Sequence, residues 1–166
     1  MGIRRSARES ALRILFELEF NDIGLEAVLA RYDREHKAPA AVGEYAGRIV
    51  RGVMARRDEI DALIQSTSRR WRIARMALVD RNILRIAAFE LLEDKTLAPA
   101  IIINEAIEIA RLYSSEEAAH FVNGVLDAVR KKIEEKITQG NRNNDEQTNK
   151  PAKRRSVQPA GQREKK

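Results

Sequence analysis

Cysteine is absent from the 166 residues of this chain. Its absence excludes a disulfide scaffold, a zinc ribbon, an iron–sulfur centre and a thiol nucleophile. No apolar run approaches the roughly 18 residues of a membrane-spanning helix, and charged residues appear from Arg4 onward. We therefore expect neither a membrane segment nor a signal peptide, and we expect the protein to be cytoplasmic.

Aromatic residues are also scarce, at 5% of the chain, and the aliphatic residues are mostly Ala, Ile and Leu. This balance favours helices over sheets. The segment 76–93 is apolar on more than one side, which is typical of a central helix. Apolar residues recur at helical spacing in six segments, at about 4–20, 25–36, 40–67, 76–93, 99–113 and 114–137. We predict an all-α protein, a single compact bundle of about six to seven helices.

The formal net charge of +6 belongs mainly to the C-terminal segment. Residues 138–166 hold eight basic and three acidic residues and so contribute +5. They contain few apolar residues, so they cannot bury enough surface to offset the entropy of ordering. We predict a helical domain at 1–137 and a disordered basic tail at 138–166. Overall charge is then a weak argument for nucleic-acid binding, and local clusters in the domain must carry it.

No motif of catalysis stands out. The chain has no glycine-rich phosphate loop between a strand and a helix, and no Ser nucleophile with a paired His and Asp. Asp33 precedes His36 by three residues, as Glu117 precedes His120, which is the spacing of half a dimetal site in a helical bundle. Such a site needs further inward-facing carboxylates, and the apolar faces carry none. We predict no catalytic residue, no metal and no cofactor.

Two basic clusters suggest binding instead. Arg4, Arg5 and Arg8 begin the first helix, whose dipole favours anions, so they form a candidate phosphate site; the alternative is a solvated helix start. Four arginines surround Trp71, namely Arg69, Arg70, Arg72 and Arg75. Arginines interleaved with an aromatic ring can stack bases and hold phosphates. For Trp71 we favour the alternative, a core anchor flanked by arginines.

A third candidate lies near the start of the last helix, where His120 and Phe121 precede Asn123. An aromatic ring beside His and Asn can stack and hydrogen-bond unpaired bases. Equally, Phe121 can belong to the core while Gly124 permits a close helix crossing. The residues alone leave these two alternatives open.

Four blocks of the chain resemble the family of the transcription antitermination factor NusB, in its order and spacing. They cover about residues 3–133. The blocks are RRSARESALRILF at 4–16, VDRNILRIAAFEL at 79–91, INEAIEIA at 103–110 and FVNGVLD at 121–127.

The resemblance implies an all-helical, non-catalytic protein. It implies that the protein pairs with the ribosomal protein NusE, and that the pair binds the single-stranded boxA element of nascent ribosomal RNA. The complex then helps RNA polymerase resist termination.

The resemblance also implies roles for individual residues. It places Arg4, Arg5, Arg8 and Phe121 in contact with RNA, and Glu117 near that surface, where we include His120. It places Phe16 and Asp80 in contact with NusE, and we expect an acidic surface around Asp80. Ser6 stands where the family's basic run can hold another Arg. Asn104 and Asn123 are interpreted as structural polar residues within helices.

Two alternatives stay open. In the first, the chain is a non-catalytic helical module related to the N-terminal domain of ribosomal RNA cytosine methyltransferases. In the second, it is a helical protein that self-associates through exposed apolar faces. The resemblance to the NusB family is also compatible with a homodimer that hides the RNA surface.

Overall fold

A computed structural model describes residues 2–148 and Gly161, and for 145–148 the backbone alone. Within those residues the chain is all-α, as predicted, and contains no strand. A single 3-10 turn at Ile73–Arg75 precedes the fifth helix. The helices are α1 (Ile3–Leu18), α2 (Leu25–His36), α3 (Ala40–Ala55), α4 (Arg57–Thr67), α5 (Leu78–Glu93), α6 (Pro99–Tyr113) and α7 (Glu116–Thr148).

Helix α5 lies at the centre of the bundle, as its apolar pattern predicts. It packs against α1, α3, α4 and α6. Ten consecutive residues, Asn82–Leu91, are buried, so every face of this stretch lies against a neighbour. Three of those ten are polar or charged, Asn82, Arg85 and Glu90. Arg85 and Glu90 find charged partners outside α5, in Asp61 and Arg8, while Asn82 accepts a hydrogen bond from Arg85.

The single helix predicted over 40–67 is wrong, because the segment breaks at Arg56 into α3 and α4. Arg56 leaves helical geometry, with φ −114° and ψ 21°. Its guanidinium pairs with Glu59 and with Glu93 at the end of α5, which holds the break in place. The break lets both α3 and α4 pack against α5.

Of the three glycines in α3, one makes a close approach that requires glycine. A Cβ added at Gly52 would lie 2.1 Å from the ring of Phe89, a buried residue of α5. Gly43 and Gly47 face only the side chains of Asp33 and Arg51. Gly52 therefore sets the spacing between α3 and α5.

Helix α7 differs from the prediction at both ends. The sequence predicts a capping box of Ser114 and Glu117 for this helix. The cap is instead Ser115, whose hydroxyl accepts a hydrogen bond from the Ala118 N–H at 3.0 Å. The helix continues past Ile137 to Thr148, so 138–148 are helical where the sequence predicts a disordered tail. The remainder of that predicted tail, 149–160 and 162–166, lies outside the described residues.

Contacts divide the chain into two units, Met1–Glu134 and Glu135–Lys166. The first contains α1 to α6 and the buried residues of α7 up to Ile133. The division into a domain at 1–137 and a separate tail stays a prediction. In the described part of the chain, no helix is both long and apolar enough to cross a membrane.

Candidate nucleic-acid interface

The start of α1 presents two arginines at the surface. The helix begins at Ile3 with no acidic residue in its first turn, so its positive end is not neutralised locally. Arg4 is exposed and forms no ion pair with any described residue. The Arg5 side chain keeps 39% of its exposure while making a bidentate contact with Glu105 of α6, at 2.8 Å for both bonds. The Glu105 carboxylate raises the pKa of Arg5, and Arg5 lowers the pKa of Glu105.

Arg8 does not join this surface, contrary to the prediction from sequence. Its side chain is 4% exposed and pairs with Glu90 of α5 through two hydrogen bonds, at 2.8 and 3.0 Å. Tyr45 donates a third hydrogen bond to Glu90, at 2.5 Å. Burial tends to lower the pKa of Arg8, but the hydrogen bonds and charge of Glu90 outweigh it and raise the pKa. The helical period places Arg4 and Arg8 on one face, so it does not separate them. Arg8 is buried because it lies one turn further along the helix, where Ala7 and Ala11 are buried as well.

The start of α7 presents a second group of exposed side chains. Glu117 is exposed, and His120 is 76% exposed with its Nε2 3.8 Å from Glu116. Phe121 is half-buried and packs against the core. The ring therefore belongs partly to the core and is partly exposed, and base stacking by Phe121 stays a prediction. The close helix crossing at Gly124 is wrong, because a Cβ added there would meet no atom within 4 Å. Carboxylates here accept hydrogen bonds from base amino groups but repel phosphates, so this group suits bases rather than backbone.

A groove between α1 and α6 lies beside Arg5. It has a volume of about 320 Å³ and is lined by Arg5 and Glu9 of α1 and by Glu108, Ile109, Arg111 and Leu112 of α6. Arg111 pairs with Glu116 at the start of α7, at 3.0 Å. The groove therefore lies beside Arg5, which suits a phosphate, and beside the start of α7, whose exposed side chains suit bases. Leu112 also lines the groove and is 68% exposed, but it was not among the binding residues predicted from the sequence.

The two asparagines interpreted as structural lie on exposed faces instead. Asn104 is exposed on α6, next to the Glu105 that holds Arg5. Asn123 is exposed on α7, and Gly124 beside it meets no atom within 4 Å. That interpretation is therefore wrong for both residues, because a polar residue that bridges helices would be buried.

The predicted partner-binding residues lie at the other end of α1. Phe16 is 40% exposed, and its ring lies 5.3 Å from that of Phe20, which is 67% exposed. Ile23, 53% exposed, follows in the same connection. Phe20 and Ile23 were not among the partner-binding residues predicted from the sequence, although they are large apolar residues beyond a helix end, beside Asn21 and Asp22.

Asp80 lies in the first turn of α5 and is half-buried. One carboxylate oxygen, Oδ1, is buried without a hydrogen-bond partner among the described residues. Glu19, just past the end of α1, lies 3.7 Å from Arg81 and 3.0 Å from Arg85, which brings the Phe16 end of α1 to the start of α5. The acidic surface expected around Asp80 stays a prediction.

Trp71 is not the core anchor that we expected. Its side chain is 58% exposed, in the connection between α4 and the 3-10 turn. The arginines around it, Arg69, Arg70, Arg72 and Arg75, are exposed as well. Ser68 is buried and Ile73 is half-buried against the core, so these residues, and not Trp71, attach the connection to the domain.

Comparisons with known proteins decide the family. The family model described as "NusB family" matches residues 5–131. The transcription antitermination protein NusB of Syntrophus aciditrophicus (strain SB) is 39% identical over 156 residues, which is 94% of this chain and 92% of the relative. That of Acidothermus cellulolyticus is 44% identical over 130 residues, 78% of this chain and 88% of the relative. The chain belongs to the NusB family.

Solved NusB structures share the fold. A structure of T. maritima NusB has a TM-score of 0.71 at 39% identity and covers 77% of this chain and 90% of that one. A crystal structure of the antitermination factors NusB and NusE in complex with dsRNA has a TM-score of 0.72 at 28% identity, covering 80% of this chain and 98% of that one. Membership of the NusB family makes the chain a transcription antitermination factor and not an enzyme, as the resemblance implies.

Proposed function

We propose that this protein binds the boxA element of nascent ribosomal RNA together with NusE, and that in the cytoplasm the pair joins the antitermination complex on RNA polymerase. One observation carries the proposal: the groove between α1 and α6 is lined by Arg5 and by Arg111, and Arg111 pairs with Glu116 at the exposed start of α7. The solved NusB–NusE complex with RNA supports both partners.

Two kinds of side chain contact the RNA in this proposal: arginines bind its phosphates, and residues at the start of α7 contact its bases. Arg4 and Arg5 hold phosphates, which fixes the position of the strand without reading its sequence. Phe121 stacks on an unpaired base, while Glu117 and His120 accept or donate hydrogen bonds at base edges. The Arg5–Glu105 pair keeps the Arg5 guanidinium in a fixed orientation, so less side-chain freedom is lost when RNA binds. Arg8 supports α1 from below and takes no part in binding.

RNA binding is tested by fluorescence anisotropy of labelled boxA RNA and a scrambled RNA, with the full chain, alone and with NusE. We expect a preference for boxA that increases with NusE. The double variant Arg4→Ala/Arg5→Ala should bind both RNAs more weakly, and the slope of log affinity against log salt should fall by about 1.4, or about 0.7 for each lost contact. Arg34→Ala, an exposed arginine of α2, is the matched control and should leave the slope unchanged.

A second variant separates the C-terminal charge from this surface. Replacing Lys153, Arg154 and Arg155 by Gln removes three positive charges far along the chain from α1. We expect the boxA preference to survive that change. Equal binding of both RNAs, lost in the triple Gln variant, would show that charge in the C-terminal segment alone binds RNA, and the proposed surface would be abandoned.

NusE is proposed to dock where Phe16 and Asp80 lie, with Phe20 and Ile23 extending the apolar contact. Exposed aromatic rings are strong contributors to protein interfaces when a partner covers them. Phe16→Ala should weaken NusE binding in calorimetry by about tenfold or more, while Ile101→Ala, an equally exposed apolar residue of α6, should not. If Phe16→Ala and Ile101→Ala bound NusE with equal affinity, the proposed docking surface at Phe16 would be wrong.

Self-association is the alternative that the same exposed rings favour. Sedimentation velocity at several protein concentrations measures it directly. A dimer that dissociates when RNA is added would show that the homodimer covers the RNA surface. The relationship to methyltransferase N-terminal domains is less favoured, because the chain covers 92% of a relative that is named an antitermination protein.

A further inference from the structure

We propose that Trp71 and the arginines around it form a second contact for single-stranded RNA, separate from the groove between α1 and α6. In this contact the Trp71 ring stacks on one unpaired base, and the flanking guanidiniums hold the adjacent phosphates. The inference extends the proposed RNA-binding function to another part of the molecule and rests on that function.

The charges around Trp71 are unusual for this protein. Elsewhere in the described chain most arginines are paired, among them Arg5 with Glu105, Arg8 with Glu90 and Arg85 with Asp61. Arg69, Arg70, Arg72 and Arg75 are exposed, and none of them forms an ion pair or side-chain hydrogen bond with a described residue. The segment 68–76 contains no carboxylate. Four unneutralised guanidiniums within seven residues are positioned for a polyanion.

The exposed ring has the surroundings of a stacking platform. Trp71 is 58% exposed and has no aromatic partner in the described structure. Its neighbours on both sides in the chain are arginines, Arg70 and Arg72, and not the apolar residues that would ring an anchor in a protein interface. Every base offers a π-face, so stacking on such a ring tolerates many sequences. The combination favours a nucleic acid over a protein partner.

The backbone that carries the ring is held in place. Gln65 Nε2 donates to the Ser68 carbonyl at 3.1 Å and to the Trp71 carbonyl at 3.3 Å, while its Oε1 accepts from the Ile73 N–H at 2.9 Å. The buried Ser68 hydroxyl donates to the Trp71 carbonyl at 3.1 Å. Ile73 packs against the core. The loop is therefore ordered before any ligand arrives, which lowers the entropic cost of binding.

The loop lies at the opposite end of α1 from Arg4 and Arg5. Arg81 joins the two elements concerned, because it donates to the Ile73 carbonyl at 3.3 Å and lies 3.7 Å from Glu19. Since α1 has 16 residues, its two ends are about 24 Å apart. An RNA strand held at both ends would span the length of this helix.

Trp71 is the single tryptophan of the chain, so its fluorescence reports on this site alone. The full chain, without NusE, is titrated with unlabelled single-stranded RNA of about 12 nucleotides, within the site sizes of single-strand binders. Binding is followed in parallel by anisotropy of the same RNA carrying a label. We expect Trp71 emission to be quenched with the same midpoint as the anisotropy change.

Variants test the contact independently of fluorescence. Trp71→Ala should weaken binding by about five- to a hundredfold, and Trp71→Phe should restore most of it, because a ring still stacks. Arg70→Ala/Arg72→Ala should reduce the salt slope by about 1.4, while Arg34→Ala should not change it. Circular dichroism should show unchanged folding, since all these side chains are exposed.

The outcomes separate this inference from the proposed function. RNA binding by anisotropy with no quenching, and with wild-type affinity for Trp71→Ala, would overturn the second contact and leave the groove between α1 and α6 intact. No RNA binding in either assay would overturn both. Quenching by polyglutamate that matches or exceeds quenching by RNA would reassign the loop to an acidic protein partner and also overturn the inference.

Discussion

The buried pair of Arg8 and Glu90 offers a direct test of the fold and of the revised RNA surface. We consider Arg8→Met, which keeps the length of the side chain and removes its charge. The Glu90 carboxylate, 1% exposed, would then keep Tyr45 as its donor but lose both hydrogen bonds from Arg8. Breaking one half of a buried ion pair costs about 3–5 kcal/mol, because a charge is left without compensation.

That loss is large against a total stability of about 5–15 kcal/mol. At roughly 2–4 °C per kcal/mol for a domain of this size, the melting temperature should fall by about 6–20 °C. The double variant Arg8→Met/Glu90→Met removes both charges and leaves the Tyr45 hydroxyl without its acceptor, at a cost of about 1–3 kcal/mol. It should therefore be more stable than the single variant.

Urea unfolding followed by circular dichroism gives the free energies of unfolding of all three proteins. A double variant less stable than Arg8→Met would refute the ion-pair argument. RNA titrations with the folded double variant then test whether Arg8 belongs to the RNA-binding surface. Its salt slope should equal that of the wild type, whereas Arg4→Ala should lower the slope by about 0.7. If the salt slope fell equally in the double variant and in Arg4→Ala, Arg8 would have to contact RNA, and the revised surface would be wrong.

Three further changes test individual packing and capping contacts. Gly52→Ala should destabilise the protein by about 1–3 kcal/mol in urea unfolding, because the added Cβ meets the Phe89 ring at 2.1 Å, and an unchanged midpoint would contradict the close approach. Ser115→Ala should cost about 1 kcal/mol and Ser114→Ala much less, and the reverse order would restore the cap predicted from sequence. Burial, and then a hydrogen bond to a carboxylate, raise the pKa of Tyr45 to about 12, so its proton stabilises the folded state fully below pH 10 and this contribution is lost between pH 10 and 12. Tyr45→Phe should show a smaller loss of stability over that window, and an identical alkaline profile would contradict the shift.

The sequence by itself determined the helices and the family. Apolar residues at a period of 3.6 located most helices to within two or three residues, because burial of one face stabilises a helix more than local propensity does. Four motif blocks pointed to the NusB family, because they preserve both core positions and surface positions in one order. The break inside the third segment was missed, because the apolar pattern of 40–67 continues through Arg56 and only the packing of α3 and α4 on α5 forces a break there.

Only the tertiary structure decided which polar and aromatic residues are exposed. Arg5 and Arg8 have the same side chain in the same helix, yet one meets Glu105 at the surface and the other meets Glu90 in the core. The rings of Trp71 and Phe121 are the two proposed to stack on bases, and how far each is exposed depends on the surrounding residues that pack against it. A sequence specifies the chemistry of each side chain, but its availability to a partner depends on residues distant in the chain, which are brought beside it by folding.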